Sequence, residues 1–220
     1  MDDCCSSESS DSKDITRYFD KRVGRYKKRS EKGLGDASRM LVDAIGSQGV
    51  KGRSLLEIGP GLGNVTFELL RLGAATATGV DLSHEMANNA KKRSEEAGFS
   101  DRTNFGYGNA AEAGLPKADI VVLDKVICCY PVLKSLLTYS ISACGTIYGF
   151  SVPNDGRIWG AYLRVAFALE RLTLWLRRCK AYSYLHPTKL IDQTLTQSGF
   201  KQVFQSRTGM WLVRVYAAAG

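Results

Sequence analysis

Three glycines and two acids carry the first chemistry that the chain offers. In LLEIGPGLGNVTFELL (55–70), Gly59, Gly61 and Gly63 follow an apolar run and precede a helix-like stretch. Glycine weakens both strand and helix, so a cluster of it lets the backbone turn tightly or come close to a ligand. Glu57 stands two residues ahead of the loop, and Asp81 ends the next apolar run, in GVDLS. An acid at the end of that second strand accepts hydrogen bonds from ribose hydroxyls. The dinucleotide fingerprint needs a small residue where Asn64 stands. The pattern is instead E-x-G-x-G-x-G, which suits a nucleoside ligand without a pyrophosphate.

Other reactive groups are few. Cys128 and Cys129 are adjacent, and in extended structure their side chains would point opposite ways, one to the core and one to a pocket. Of the two histidines, His84 is expected on the surface beside the nucleoside site, and His186 precedes Pro187 at a helix start. The six cysteines form no CxxC pair, so neither a disulfide framework nor a metal site is expected, and a reducing compartment, the cytoplasm, fits best. Arg157, Arg164, Arg171 and Arg178 recur every seven residues in an apolar stretch, forming one drifting stripe on a helix. Their charges argue against a membrane-spanning helix. Three readings of 157–178 stay open: a helix over the sheet and pocket, a homodimer face, or an interfacial helix on anionic lipid.

These groups need elements to hold them. The chain has 220 residues, 44% of them hydrophobic, which suits one domain with a sizeable core. Residues 1–14 carry five acids against one lysine, a net −4, and read as a disordered acidic tail. The net charge of +8 therefore leaves +12 on the rest, a surface that favours anionic partners. The tail lacks the features of a signal or transit peptide. A basic, tyrosine-bearing helical segment (15–32) and a second helix (36–46) precede the strand RSLLEIG. Helix VTFELLRLG, closed by Gly73, leads to strand ATATGVD, then to a helix capped by Ser83 and stopped by Gly98. Short strand TNFGYGN, strong strand ADIVVLDKVI and strand GTIYGFSVP follow. Strands alternating with helices predict parallel βαβ units. After Pro153 come a long helical insertion (154–180), a helix in HPTKLIDQTLTQSG and a β-hairpin around Arg207–Gly209.

Loop, acid and strand order together resemble the class I S-adenosylmethionine-dependent methyltransferases: LLEIGPGLG matches their first motif and GVDLS their second. The resemblance implies an α/β fold, a seven-stranded Rossmann-like sheet with a C-terminal antiparallel hairpin and helices on both faces. It implies S-adenosyl-L-methionine as cofactor, contacted by Glu57, Gly59, Gly61, Gly63, Asp81, Leu82, Asn109, Ala110 and Asp124, with S-adenosyl-L-homocysteine as product. Three further stretches resemble the magnesium-protoporphyrin O-methyltransferases and related small-molecule enzymes: RYFDKRVGRYKK, DKVICCYP and AYSYLHPTKLIDQTLTQSGF. That family has a His before Tyr-Pro where Cys129 stands. The resemblance implies a lid over 15–46 and acceptor-site roles for Tyr18, Cys129 and His186, with Tyr26, Arg29, Tyr130 and Trp159 around the acceptor. The expected reaction is methyl transfer to a small-molecule oxygen or sulfur nucleophile, with a thiol, sulfide or phenol favoured. Porphyrin carboxylate methylation, RNA methylation and a non-catalytic cofactor-binding regulator are the alternatives.

Overall fold

The apolar run SLLEI forms β1 (Ser54–Ile58), buried from Leu55 onward, inside a seven-stranded sheet. It pairs in parallel with β2 (Thr76–Asp81) on one side and β4 (Ala118–Asp124) on the other. β3 (Thr103–Tyr107) extends the sheet beyond β2, and β5 (Cys144–Pro153) extends it beyond β4, both in parallel. β6 (Phe200–Thr208) and β7 (Trp211–Ala218) form the C-terminal hairpin, with β7 inserted antiparallel between β5 and β6. The strand order is β3-β2-β1-β4-β5-β7-β6, the class the sequence implies. The computed structural model describes residues 10–112 and 114–219.

Strand alternation sorts the core into two layers. Leu55, Ile120, Val122, Ile147 and Val213 face one layer, built with α3 (Asp36–Gly46), α4 (Asn64–Arg71) and α5 (His84–Glu96). Leu56, Ile58, Val121, Leu123, Tyr148 and Phe150 face the other, built with α6 (Leu133–Ala143) and α8 (Thr188–Gln197). The sheet order reverses between β1 and β4. In open parallel sheets a ligand crevice lies outside the carboxyl ends of the strands at that switch point.

Several local expectations change. Residues 1–9 of the expected acidic tail lie outside the described residues, but its remainder is helical: α1 (Ser10–Asp20) begins there. Ser12 is buried, and Asp14 Oδ2 accepts from the Lys180 amide at 3.1 Å, so this end of the helix is held by tertiary contacts. The basic segment 15–32 is two helices, the second being α2 (Val23–Ser30). Helix α6 has no counterpart in the sequence reading; its serines and threonine disguise an amphipathic face of Leu133, Leu136, Leu137 and Ile141. Cys128 and Cys129 lie in a short 3₁₀ turn, Ile127–Cys129, rather than in extended backbone. The hairpin reverses at Gly209 and Met210, because β6 runs on through Thr208. The late insertion is α7 (Arg157–Leu176), and Arg178 falls beyond its end with φ of +51°.

Candidate active site

Glu57 and Asp81 set the crevice. Glu57 is buried near the end of β1, and its Oε2 accepts from the Thr66 amide at 2.9 Å and from the Thr66 hydroxyl. This ties the strand to the first turn of α4 and holds the intervening glycine loop. Burial pushes the Glu57 carboxyl up to about 8, against the lowering effect of the Thr66 bonds. Asp81 ends β2. Its Oδ2 accepts from the Gly61 amide at 3.0 Å and its Oδ1 from the Ser83 amide at 2.8 Å. Burial raises this carboxyl to about 6. Ser83 in turn caps α5 by accepting from the Met86 amide, and it donates to Asp20 Oδ1 of α1 at 2.5 Å.

The three glycines differ. All have positive φ, but a Cβ at Gly59 would sit 2.5 Å from Val126 Cγ2, and one at Gly63 would sit 2.9 Å from Phe67 Cζ. Those two serve close packing. A Cβ at Gly61 would meet nothing within 4 Å, because Gly61 borders open space.

That space is a cavity of about 370 Å³ at the switch point. Its floor is Glu57, Gly59, Gly61, Asp81 and Asp124. Tyr18 and Phe19 of α1 and Tyr26 and Arg29 of α2 cover it, and Tyr182 and Ser183 close it from the late part of the chain. The Arg22 guanidinium stacks 3.4 Å from the Tyr18 ring centroid, and Tyr18 meets Phe19 edge-on. Beyond β4 the backbone turns through Lys125, whose φ is +60°, a left-handed conformation uncommon for non-glycine residues. The 3₁₀ turn that follows puts both Cys128 and Cys129 on the cavity wall, their sulfurs 3.9 Å apart and both donating towards the Lys125 carbonyl. Asp124 accepts from the Ser38 and Ser151 hydroxyls, each at 2.5 Å, and Lys125 Nζ donates to Ser38 Oγ at 2.6 Å.

The wall holds its protons firmly. Burial raises the Tyr18 hydroxyl despite the nearby Arg22, and it pushes Tyr26 up to about 12. Tyr130 is raised further, again by burial. The Cys128 thiol is raised by its hydrogen bond with Cys129 and by burial. None of these four groups is a ready base at neutral pH.

The structure brings most of the expected residues to this one cavity: Tyr18, Tyr26, Arg29, Glu57, Gly59, Gly61, Asp81, Leu82, Asp124, Cys129 and Tyr130. It places five elsewhere. Gly63 packs at the start of α4. Asn109 donates to Glu112 Oε1 at 2.8 Å, and Ala110 is buried in the core. His186 Nε2 bonds the Tyr130 carbonyl at 2.8 Å and its ring stacks on Tyr184, one residue behind the wall. A carbonyl only accepts, so this nitrogen carries the proton, and burial lowers the ring's basicity. Trp159 is 41% exposed on α7. His84 stacks on Tyr107, the ring centroids 3.6 Å apart, over the ends of α5 and β3. Sequence reasoning missed Ser38, Lys125, Tyr182, Ser183 and Trp211 on the wall. No local pattern marks them, since they come from four separate segments. Among the described residues, no cluster of His, Cys, Asp and Glu is built to hold a metal ion.

Residues 55–139 match the family described as a methyltransferase domain. Over 85 residues the chain is 36% identical to a ribosomal RNA small subunit methyltransferase of Arabidopsis thaliana, a match that spans 38% of this chain and about a quarter (24%) of that protein's length. Among solved structures, the magnesium protoporphyrin IX methyltransferase of Synechocystis with bound SAH superposes with a TM-score of 0.70 at 18% identity, covering 93% of this chain and 98% of that one. An O-methyltransferase family protein of Burkholderia thailandensis superposes with a TM-score of 0.68, also at 18% identity, covering 92% of this chain and 58% of that one. At such identities the likeness establishes the fold.

Proposed function

We propose that the chain is a class I S-adenosylmethionine-dependent methyltransferase that moves the methyl group of that cofactor to a small-molecule sulfur or oxygen nucleophile, a thiol, sulfide or phenol, a reading supported by the methyltransferase-domain match over residues 55–139 and by the strand order. One observation carries the proposal. The glycine loop and its two carboxylates open into the same 370 Å³ cavity as the cysteine pair and the tyrosine lid. The cofactor supplies an activated sulfonium methyl, so the protein's task is chiefly alignment. Asp81 receives the ribose hydroxyls, Gly61 gives the backbone clearance, and the Glu57 side of the crevice suits a cationic amino-acid tail. Tyr18, Tyr26 and Arg29 close over the acceptor. His186 acts as a positioning residue, holding the Tyr130 backbone from behind.

Size and protonation select the acceptor class. The cavity is near the small end of ligand pockets, which run from about 300 to 1,000 Å³, and the cofactor itself must share it. A macrocycle is therefore disfavoured, and so it is by the exchange of an imidazole for Cys129 relative to the resembling porphyrin enzymes. A lid of two helices likewise leaves little access for an RNA strand. Since the buried tyrosines keep their protons, the acceptor must bring its own acidity. Sulfide and thiols do so closest to neutral pH, and phenols do so as pH rises further. The cysteines described, Cys128, Cys129, Cys144 and Cys179, are all free, which suits work in a reducing compartment such as the cytoplasm. Cys4 and Cys5 lie outside the described residues.

The test is S-adenosylhomocysteine formation across thiols, sulfide and phenols, with magnesium protoporphyrin and RNA as controls. Turnover of the small acids, rising as pH approaches their own pKa, is the expected result. Turnover of porphyrin or RNA alone would overturn the reading, and cofactor binding without any turnover would favour a regulator.

A further inference from the structure

Helix α7 carries its apolar face outward. Only Gly160, Leu163 and Leu174 of its 20 residues are buried. On the opposite side Ile158, Tyr162, Val165, Leu169, Leu172 and Leu176 follow one another in steps of four and three, and each is more than half exposed. Trp159 and Trp175 flank this ridge. Together these make eight of the thirteen large apolar side chains that stand exposed among the described residues, so the feature belongs to one helix and not to the surface at large. The helix is about 30 Å long at 1.5 Å per residue. A patch of that extent on a protein surface marks an interaction site.

Charge identifies what covers it. Arg157, Arg164 and Arg171 form a row beside the ridge, roughly 120° round the helix from its centre. Arg177, Arg178 and Lys180 follow at its end, and Glu170 is the sole acid, so residues 157–180 carry +5. Glu170 also turns inward, accepting from the Ser183 amide at 3.3 Å. We propose that α7 is an interfacial helix that seats the protein on an anionic lipid bilayer, its ridge in the acyl boundary and its arginines at the headgroups. Tryptophans at the edges of an apolar face and arginines beside it are what such a surface recruits. A second copy of the chain fits less well. Paired helices lie about 8–10 Å apart, about one Debye length at physiological salt, and a two-fold pairing would set +5 against +5. No described helix is long and apolar enough to cross a membrane, so α7 lies on the bilayer.

Docking reaches the cavity. The Arg171 guanidinium lies 4.9 Å from the Tyr182 ring centroid, and Tyr182 and Ser183 are cavity wall. The seated helix would therefore bring the cavity's late wall to the lipid surface. The docking itself does not depend on the methyl-transfer reading.

The experiment is flotation of the full chain with phosphatidylcholine vesicles, with and without phosphatidylserine. Wild type should float with the anionic vesicles and much less with the neutral ones, and its tryptophan emission should shift to the blue. Val165→Glu with Leu172→Glu, two exposed sites, should cut binding at least about tenfold. Arg157→Gln with Arg164→Gln should cut it roughly fivefold per arginine, and only on anionic vesicles. Circular dichroism must match wild type in both variants. Absence of flotation, flotation indifferent to phosphatidylserine, or wild-type binding by both variants would overturn the proposal. So would a concentration-dependent dimer, abolished by the glutamates, in a protein that ignores vesicles.

Discussion

Replacing Asp81 by Asn separates two consequences of one buried carboxylate. In the folded protein this group titrates near 6 instead of 3.8, because burial disfavours its charge more than the Gly61 and Ser83 amides favour it. The folded state therefore holds the proton more tightly than the unfolded chain. Its advantage is complete below the unfolded value and is lost as pH rises to about 6. Holding the proton across about two further pH units is worth about 3 kcal/mol. Asparagine does not titrate, so the stability of Asp81→Asn relative to wild type should climb by about 3 kcal/mol between about pH 4 and pH 7. At this chain length that is roughly 6–12 °C in Tm. Asparagine has one acceptor oxygen where aspartate has two, so one of the two amides loses its partner. That cost, about 1–3 kcal/mol, is independent of pH and moves only the baseline. Thermal or urea unfolding of both proteins across the pH series reads the difference directly, and other titrating groups largely cancel. A difference that stays flat would refute the raised carboxylate. Calorimetry on the same variant tests its role: with the charge-assisted bonds to ribose gone, S-adenosylhomocysteine should bind about 10–100-fold more weakly at neutral pH. Unchanged affinity would remove Asp81 from the cofactor site.

Glu57, raised to about 8, is protonated in the free protein at neutral pH; a cationic ligand beside it should expel about one proton, seen by calorimetry in buffers of different ionisation heat, fading above pH 8 and absent in Glu57→Gln. Gly61→Val should abolish cofactor binding, since its side chain enters the cavity, and should cost some stability through its φ of +55°. Gly59→Ala should instead lower Tm through its clash with Val126, and equal effects of the two on binding would refute the division between them. Cys129→Ser should keep most turnover of a thiol acceptor, whereas deleting residues 1–32, which removes Tyr18, Phe19, Tyr26 and Arg29 from the lid, should abolish turnover while cofactor still binds. Loss of cofactor binding in that deletion, with the fold intact, would show that the lid belongs to the cofactor half instead.

The proposed cofactor half of the cavity was legible because its determinants are local. Gly59, Gly61 and Glu57 fall within five residues, and Asp81 is fixed by the pairing of β1 with β2, where Glu57 lies opposite Gly79 and Ile58 opposite Val80. Buried parallel strands also read as apolar runs, so the βαβ units followed from pattern, whereas the seven-stranded sheet with its antiparallel hairpin came from the family resemblance and the switch point only from the strand order. The proposed acceptor half obeys no such rule. Its wall joins Tyr18 and Tyr26 to Lys125, Cys128, Tyr182 and Trp211, brought together only by tertiary packing. The cysteine pair shows why extended-strand logic failed there: β4 ends at Asp124, Lys125 adopts a left-handed backbone, and a 3₁₀ turn then sets successive side chains on one side instead of two. The seven-residue arginine spacing in 157–178 was visible, but which face of that helix would turn inward was not. That depended on Gly160 and Leu163, whose side the burial alone decides. Inward packing through so narrow a strip leaves the wider apolar face uncovered by the described residues, and the arginine row beside it selects a surface of opposite charge.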